Sequence, residues 1–311
     1  MKLLKHPAIK ILFSLVLITV IVLKVDREEL VSNIRLMDYR FIPLIVLLLV
    51  LNYVVSSYRW KALLVFKNLK PVNVAFLTRL YFIGAFFNNF MPTSMGGDVY
   101  KVLRLGKKIG NNAHAFTATF MERFTGFVAL ILISYFGLIR TWGFWVEMIP
   151  ESLSINPILL KLFETGVILG FWIASFAGFI ALKVISSKIP FLSKIYNSLL
   201  EYRSNRRTLF FAVLTSFVVQ FIAIFTQYFI FISLGADLKI SYALFTLPIV
   251  TLASFFIPSL NGVGVQDALY IQLFSLVGIS TEAALSASII YHLSRLGVSL
   301  IGGVLYASDK E

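Results

Sequence analysis

Apolar residues in this chain fall into long runs separated by short basic stretches. The runs cover about residues 8–23, 41–57, 72–90, 114–139, 161–182, 208–234, 241–260, 265–277 and 283–306. A helix crossing about 30 Å of hydrocarbon needs about 20 apolar residues, and several of these runs meet that length. The pattern predicts an all-α polytopic membrane protein. Composition agrees, because 59% of the 311 residues are hydrophobic and only 14% are charged. A soluble domain of this length needs more charge to cover its surface. The run at 8–23 follows a basic flank, as in a signal peptide. Lys24, Asp26 and Arg27 follow it instead of a small-residue cleavage site, so it is expected to stay as a first helix.

The charges set an orientation. Lys and Arg number 28 against 15 Asp and Glu, a net charge of +13. They sit in short loops, which fits an anionic lipid surface better than nucleic acid. With the N-terminus inside, segments 1–10, 58–71, 101–113, 183–207 and 307–311 hold 18 of the 28 basic residues. The outer loops 24–40, 140–161 and 235–240 hold 7. Basic loops favour the cytoplasmic side, so both termini are expected there, in the cytoplasmic membrane of a bacterium or archaeon.

Keeping Lys101, Arg104, Lys107 and Lys108 inside requires the chain to enter at 72–90, turn at Pro92–Gly97 and return. The same logic applies to 241–277, with its turn at Pro258–Gly264. Both segments then read as re-entrant hairpins, which membrane proteins tolerate where protein or a wet cavity covers the broken backbone. The two resemble each other. Phe90-Met-Pro92 leads to Gly96, Gly97, Asp98 and Tyr100, and Phe256-Ile-Pro258 leads to Gly262, Gly264, Gln266, Asp267 and Tyr270. A helix with an Arg close to a Gly follows each one: Arg123 with Gly126, and Arg295 with Gly297. The chain thus divides into repeats of about 1–140 and 161–306 within one transmembrane domain. Each has two spans, a hairpin and a third span. An odd number of spans per unit inverts the second repeat relative to the first, as in many transporters.

Charges within apolar spans cost about 2.5–3.5 kcal/mol each on insertion scales. The candidates are Arg79, Asp98, Glu122, Arg123, Asp267 and Arg295. Two readings stay open for the arginines. They grip a lipid phosphate through the two-pronged guanidinium, or they form salt bridges, Arg123 with Asp98 and Arg295 with Asp267. Adjacent Glu122 and Arg123 point in different directions and form no simple pair. Gly96, Gly97, Gly262 and Gly264 are expected where positive φ or close approach is needed, with backbone amides facing an anion as the functional alternative. Asn88, Asn89 and Asn261 are expected to satisfy broken backbone at the tips, and His292 to serve packing. Cysteine is absent and the three histidines are not paired, so neither a disulfide framework nor a metal centre is expected. Gly96-Gly97-Asp98 lacks the lysine of a phosphate loop and the flanking elements of a dinucleotide fold. No cofactor and no enzymatic activity are expected.

The stretch Phe87-Asn-Asn-Phe-Met-Pro-Thr-Ser-Met-Gly-Gly-Asp-Val-Tyr100, followed by Arg104, Glu122-Arg123 and Pro258 to Asp267, resembles a known family. It looks like the transmembrane domain of lysylphosphatidylglycerol synthase/flippase proteins, over nearly the whole chain. The resemblance implies movement of a phospholipid or related amphiphile between leaflets. Asp98, Arg104, Glu122, Arg123, Gln266, Asp267 and Arg295 are then the substrate-binding candidates. The chain is read to Glu311 without an aminoacyl-transferase domain, so lysyl transfer is not implied. The alternative is a non-transporting subunit that presents a lipid-linked sugar to a glycosyltransferase or other lipid-modifying enzyme. The implied partner is a membrane lipid, either an anionic phospholipid or a lipid-linked saccharide. A partner enzyme and a homo-oligomer stay open.

Overall fold

The computed structural model describes residues 27–66, 69–90, 96–147, 189–257, 259 and 261–308, with scattered positions between 166 and 185. The expected first span at 8–23, Pro92, Pro258 and most of the expected span at 161–182 lie outside the described residues.

The described residues fold into helices. α1 (Arg27–Arg35) and a 3-10 turn (Tyr39–Phe41) lead to α2 (Ile42–Ala62), which has Pro43 in its first turn. Proline costs least there, because that N–H has no partner within the helix. α3 (Val74–Phe90) and α4 (Gly96–Ile109) flank the first tip, and α5 spans Asn112–Glu147. α6 (Pro190–Ser204) and α7 (Arg206–Ser233) follow. α8 (Ile240–Phe256) and α9 (Val265–Ser275) flank the second tip, and α10 covers Thr281–Ala307. Ser280 caps α10 by accepting a hydrogen bond from the Ala283 N–H.

Among the described residues, four helical stretches are long and apolar enough to cross a membrane: Tyr39–Ala62, Asn112–Trp145, Arg206–Ser233 and Thr281–Ala307. No more than half of the most apolar window of any of them is buried in protein. Leu47, Phe210, Leu214 and Val304 point outward, which suits lipid and not water. The chain is a multi-pass membrane protein.

Two segments expected as loops carry helices. α1 lies in the stretch 24–40, and its Leu30 packs on Leu285 of α10. α6 lies in the basic stretch 183–207. Its Ile195, Ser198 and Tyr202 are buried at i, i+3 and i+7, while Arg203 is exposed. That spacing is one face of a helix, and the surrounding basic residues mask it. Tyr202 donates to the Leu63 carbonyl at 2.5 Å, covering the end of α2.

α3 and α4 fold back on each other. Tyr81 faces Lys101, Phe87 meets Tyr100 and Asn88 reaches Gly97. Gly97 lies within α4, so close approach and not positive φ accounts for it. A Cβ there would lie 2.0 Å from the Gly84 carbonyl oxygen. α3 then packs most extensively on α10, α8 on α5, and α2 on α7. Small residues permit the first two crossings, because a Cβ on Gly302 would lie 1.9 Å from the Phe82 carbonyl oxygen. On Gly137 it would lie 2.6 Å from the Phe245 nitrogen. In lipid, where apolar surface gains nothing by association, such close backbone contact drives helix pairing. One core cluster, with Ile45, Phe231, Leu247, Tyr270 and Phe274, joins α2, α7, α8 and α9. Another, with Trp60, Leu77, Leu80 and Leu105, joins α2, α3 and α4.

Candidate functional site

Buried charges form a chain through the first half of the bundle. Glu122 on α5 is 4% exposed, and its Oε1 accepts from Arg59 Nη2 of α2 at 2.8 Å. The Tyr81 hydroxyl of α3 also donates to that oxygen. Arg59 Nη1 donates to Ser216 Oγ of α7 at 2.9 Å. Lys101 Nζ, on α4, lies 3.2 Å from Asp98 Oδ1 and 3.7 Å from Glu122 Oε2. It also stands 3.9 Å from the Tyr81 ring centroid and 5.0 Å from that of Trp60. Asp98 Oδ2 accepts from Arg123 Nε at 2.9 Å and from Nη2 at 2.5 Å. Carboxylates and cations thus alternate across three helices, α2, α4 and α5, with neutral Tyr81 of α3 and Ser216 of α7 beside them, which is how charges become tolerable inside an apolar bundle.

The second tip is built differently. Gly264 has φ of 83°, a conformation that favours glycine, and donates its N–H to Asp267 Oδ2 at 2.8 Å. Asp267 Oδ1 accepts from Ser288 Oγ at 2.5 Å and lies 3.3 Å from His292 Nε2. Asp267 therefore caps α9 and ties it to α10. Of the two readings left open for Arg295, the salt bridge with Asp267 is not formed. Arg295 Nη2 instead donates to Asn261 Oδ1 at 2.8 Å. The physical reason is that Asp267 points back along its own helix start, where an amide, a hydroxyl and an imidazole already occupy it. The matching Arg123–Asp98 bridge does form. Glu122 and Arg123 point apart as expected, one toward Arg59 and the other toward Asp98.

The two tips touch. Asn261 Nδ2 donates to Asn89 Oδ1 at 2.5 Å, and Asn89 Nδ2 donates to Ser299 Oγ at 2.7 Å. Asn88 accepts from the Gly97 N–H at 2.8 Å, the backbone role expected of it. Among the described residues, Asn89 and Asn261 bond each other, Ser299 and Arg295.

Between these groups lies a cavity of about 340 Å³. Asp98, Glu122, Arg123, Gln266 and Arg295 line it, with Asn89, Asn261 and Gly262 from the tips. Arg104 and Asp267 stand outside its lining, as do Gly96, Gly97 and Gly264. Arg104 sits beside its own Tyr100 ring, 6.0 Å from the centroid. Pro92 and Pro258 are not among the described residues.

Arg59, Tyr81 and Lys101 also line the cavity, and sequence reasoning passed over them. Arg59 and Lys101 sit at the edges of apolar runs, where they look like loop charges. The available signal was Lys101 three residues after Asp98, a spacing that puts both on one helix face. Arg59 Nε and Glu122 Oε2 are buried without a hydrogen-bond partner, so the wall keeps polar capacity for water or a ligand. Among the described residues no group of three or more His, Asp or Glu has the geometry to hold a metal ion.

The family model for the lysylphosphatidylglycerol synthase TM region matches residues 8–303. A UPF0104 membrane protein of Pyrococcus horikoshii is 23% identical, over 97% of this chain and 98% of its own. A UPF0104 membrane protein of Methanocaldococcus jannaschii is 28% identical, over 71% of this chain and 93% of its own. No solved structure matches.

Proposed function

The chain belongs to the family of the lysylphosphatidylglycerol synthase TM region, and from that premise we propose that it moves a phospholipid or lipid-linked amphiphile between leaflets. The observation that carries this reading is the double origin of the cavity. Asp98, Lys101, Glu122 and Arg123 enter it from the first unit, and Asn261, Gln266 and Arg295 from the second. A polar chamber between two halves of an apolar bundle is where alternating-access transporters hold their cargo.

The packing supports the inverted repeat behind this reading. Let α2 to α5 correspond to α7 to α10. The α3–α10 crossing then maps onto α8–α5, the α4–α5 contact onto α9–α10, and α2–α7 onto itself. A two-fold relation between units predicts such an exchange. In the same reading, α3–α4 and α8–α9 are re-entrant hairpins entering from opposite faces, and both termini are cytoplasmic. The native chain has no cysteine, so a single Cys at Lys107 can be probed in intact cells with an impermeant thiol reagent. Position 107 should be protected, and labelling from outside would exclude the first hairpin.

The transport test is leaflet translocation of fluorescent phospholipid in proteoliposomes, alongside a thermal melt. Arg123→Ala and Arg295→Ala should each abolish translocation in protein that still folds. Arg→Lys at either position keeps the charge but loses the fork, and should slow translocation. Full rates in both Ala variants would remove these residues from the mechanism. No translocation by the parent, with lipid still bound, would favour the presenting subunit.

A further inference from the structure

This inference rests on the lipid-moving reading and concerns what the chamber accepts. We propose that its cargo is a lipid phosphate monoester, whose terminal phosphate carries two negative charges. Six charged side chains line the cavity: Arg59, Lys101, Arg123 and Arg295 against Asp98 and Glu122. Four cations less two anions leave +2 on the described walls. An excess of that size at membrane depth calls for a counter-anion.

The excess has a location. Arg59, Lys101 and Arg123 each reach a carboxylate. Arg295 is held instead by a neutral amide, Asn261, with the Tyr291 ring 5.3 Å from its guanidinium carbon. The side chains of Arg59 and Lys101 are 6% and 4% exposed, locked between Glu122 and Asp98, whereas that of Arg123 is 43% exposed. Arg123 and Arg295 are therefore the cations available to a ligand, one from each half. The Arg295 guanidinium can make two parallel hydrogen bonds to a phosphate, while Arg123, whose Nε and Nη2 already donate to Asp98, keeps its remaining N–H groups for one. A diester offers two free oxygens and one charge, and satisfies one fork. A monoester offers three free oxygens and two charges, and can engage both arginines. A zwitterionic headgroup would bring an ammonium toward a wall that is already positive. The volume of about 340 Å³ is at the small end for a ligand pocket, which disfavours an oligosaccharide headgroup.

The test uses the full chain in neutral detergent at low salt with three short-chain probes. They are dihexanoyl phosphatidic acid, dihexanoyl phosphatidylglycerol and dihexanoyl phosphatidylcholine. Affinities come from the rise of melting temperature with probe concentration. Phosphatidic acid should bind at least about tenfold more tightly than phosphatidylglycerol, a modest return for one more charge in a partly wet site. Phosphatidylcholine should bind most weakly. Arg295→Gln should collapse the preference to about threefold or less, and Arg295→Lys should retain most of it. Equal binding of monoester and diester by the parent overturns the proposal, as does an unchanged preference in folded Arg295→Gln. The parent ratio decides even where a variant fails to fold. Translocation of diester lipid together with equal binding would overturn the monoester alone and leave transport standing. A monoester preference without translocation of any lipid would do the reverse.

Discussion

Around the first hairpin the buried polar groups are mostly ionic, whereas around the second a single carboxylate is enclosed by neutral donors and a histidine. Arg59, Lys101, Asp98, Glu122 and Arg123 compensate one another across three helices. Asp267 is held by a backbone amide, a serine and His292, and nearby Tyr270 donates to Gln227 at 2.5 Å. The two halves share a packing plan and differ in chemistry. The first concentrates its charge on the cavity wall, within reach of a ligand. The second keeps its carboxylate behind the wall, where it fixes the start of α9, and offers the cavity Arg295 and amides. Asp98 and Asp267, which follow the two tips alike in sequence, therefore do different work.

Removing one carboxylate from each half should break this comparison most visibly. Glu122→Ala leaves Arg59 without its carboxylate and weakens the hold on Lys101. A broken buried pair costs about 3–5 kcal/mol. Asp267→Ala removes hydrogen bonds whose donors are mostly neutral, and should cost about 1–3 kcal/mol. Thermal melts in detergent would rank the two, and a larger loss for Asp267→Ala would reverse the assignment.

A smaller contrast separates the tip glycines. Gly97→Ala forces a methyl group against the Gly84 carbonyl, and overpacking of this kind costs about 1–3 kcal/mol. Gly264→Ala places a Cβ at positive φ, about 1–2 kcal/mol. Gly84 is itself a glycine, so no smaller residue at that position can relieve the Gly97 clash. Folded yield and melting temperature should fall further for Gly97→Ala, and an equal or smaller loss would mean that the Gly84 contact relaxes to admit the methyl group.

The long helices were legible in the sequence because a span must be apolar along its whole length, and lipid leaves little freedom in that. The breaks before α4 and α9 were legible from their glycines, and Glu122 and Arg123 from their place inside an apolar run. Arg59 and Lys101 were not, because counting charge between runs treats every cation at a run's edge as solvated. The Arg295–Asp267 pairing failed for a related reason. Sequence spacing gives proximity, but the direction of Asp267 depends on Gly264 having positive φ and presenting its N–H. The α6 helix was hidden because its apolar face is short and lies among basic residues.

The exchange of hairpins between halves has a consequence for how the protein is made. Asn89 bonds Ser299, 210 positions later, and Arg79 bonds the carbonyl of Leu305, 226 positions later. Translation proceeds at about 5–20 residues per second, so the first hairpin waits roughly 10–45 s for its partner helix to leave the ribosome. Throughout that interval Asn89, Arg79 and the Phe82 backbone face something other than α10. The first half is therefore a client awaiting completion, and whatever shelters its unfinished surface in the membrane influences how much protein matures.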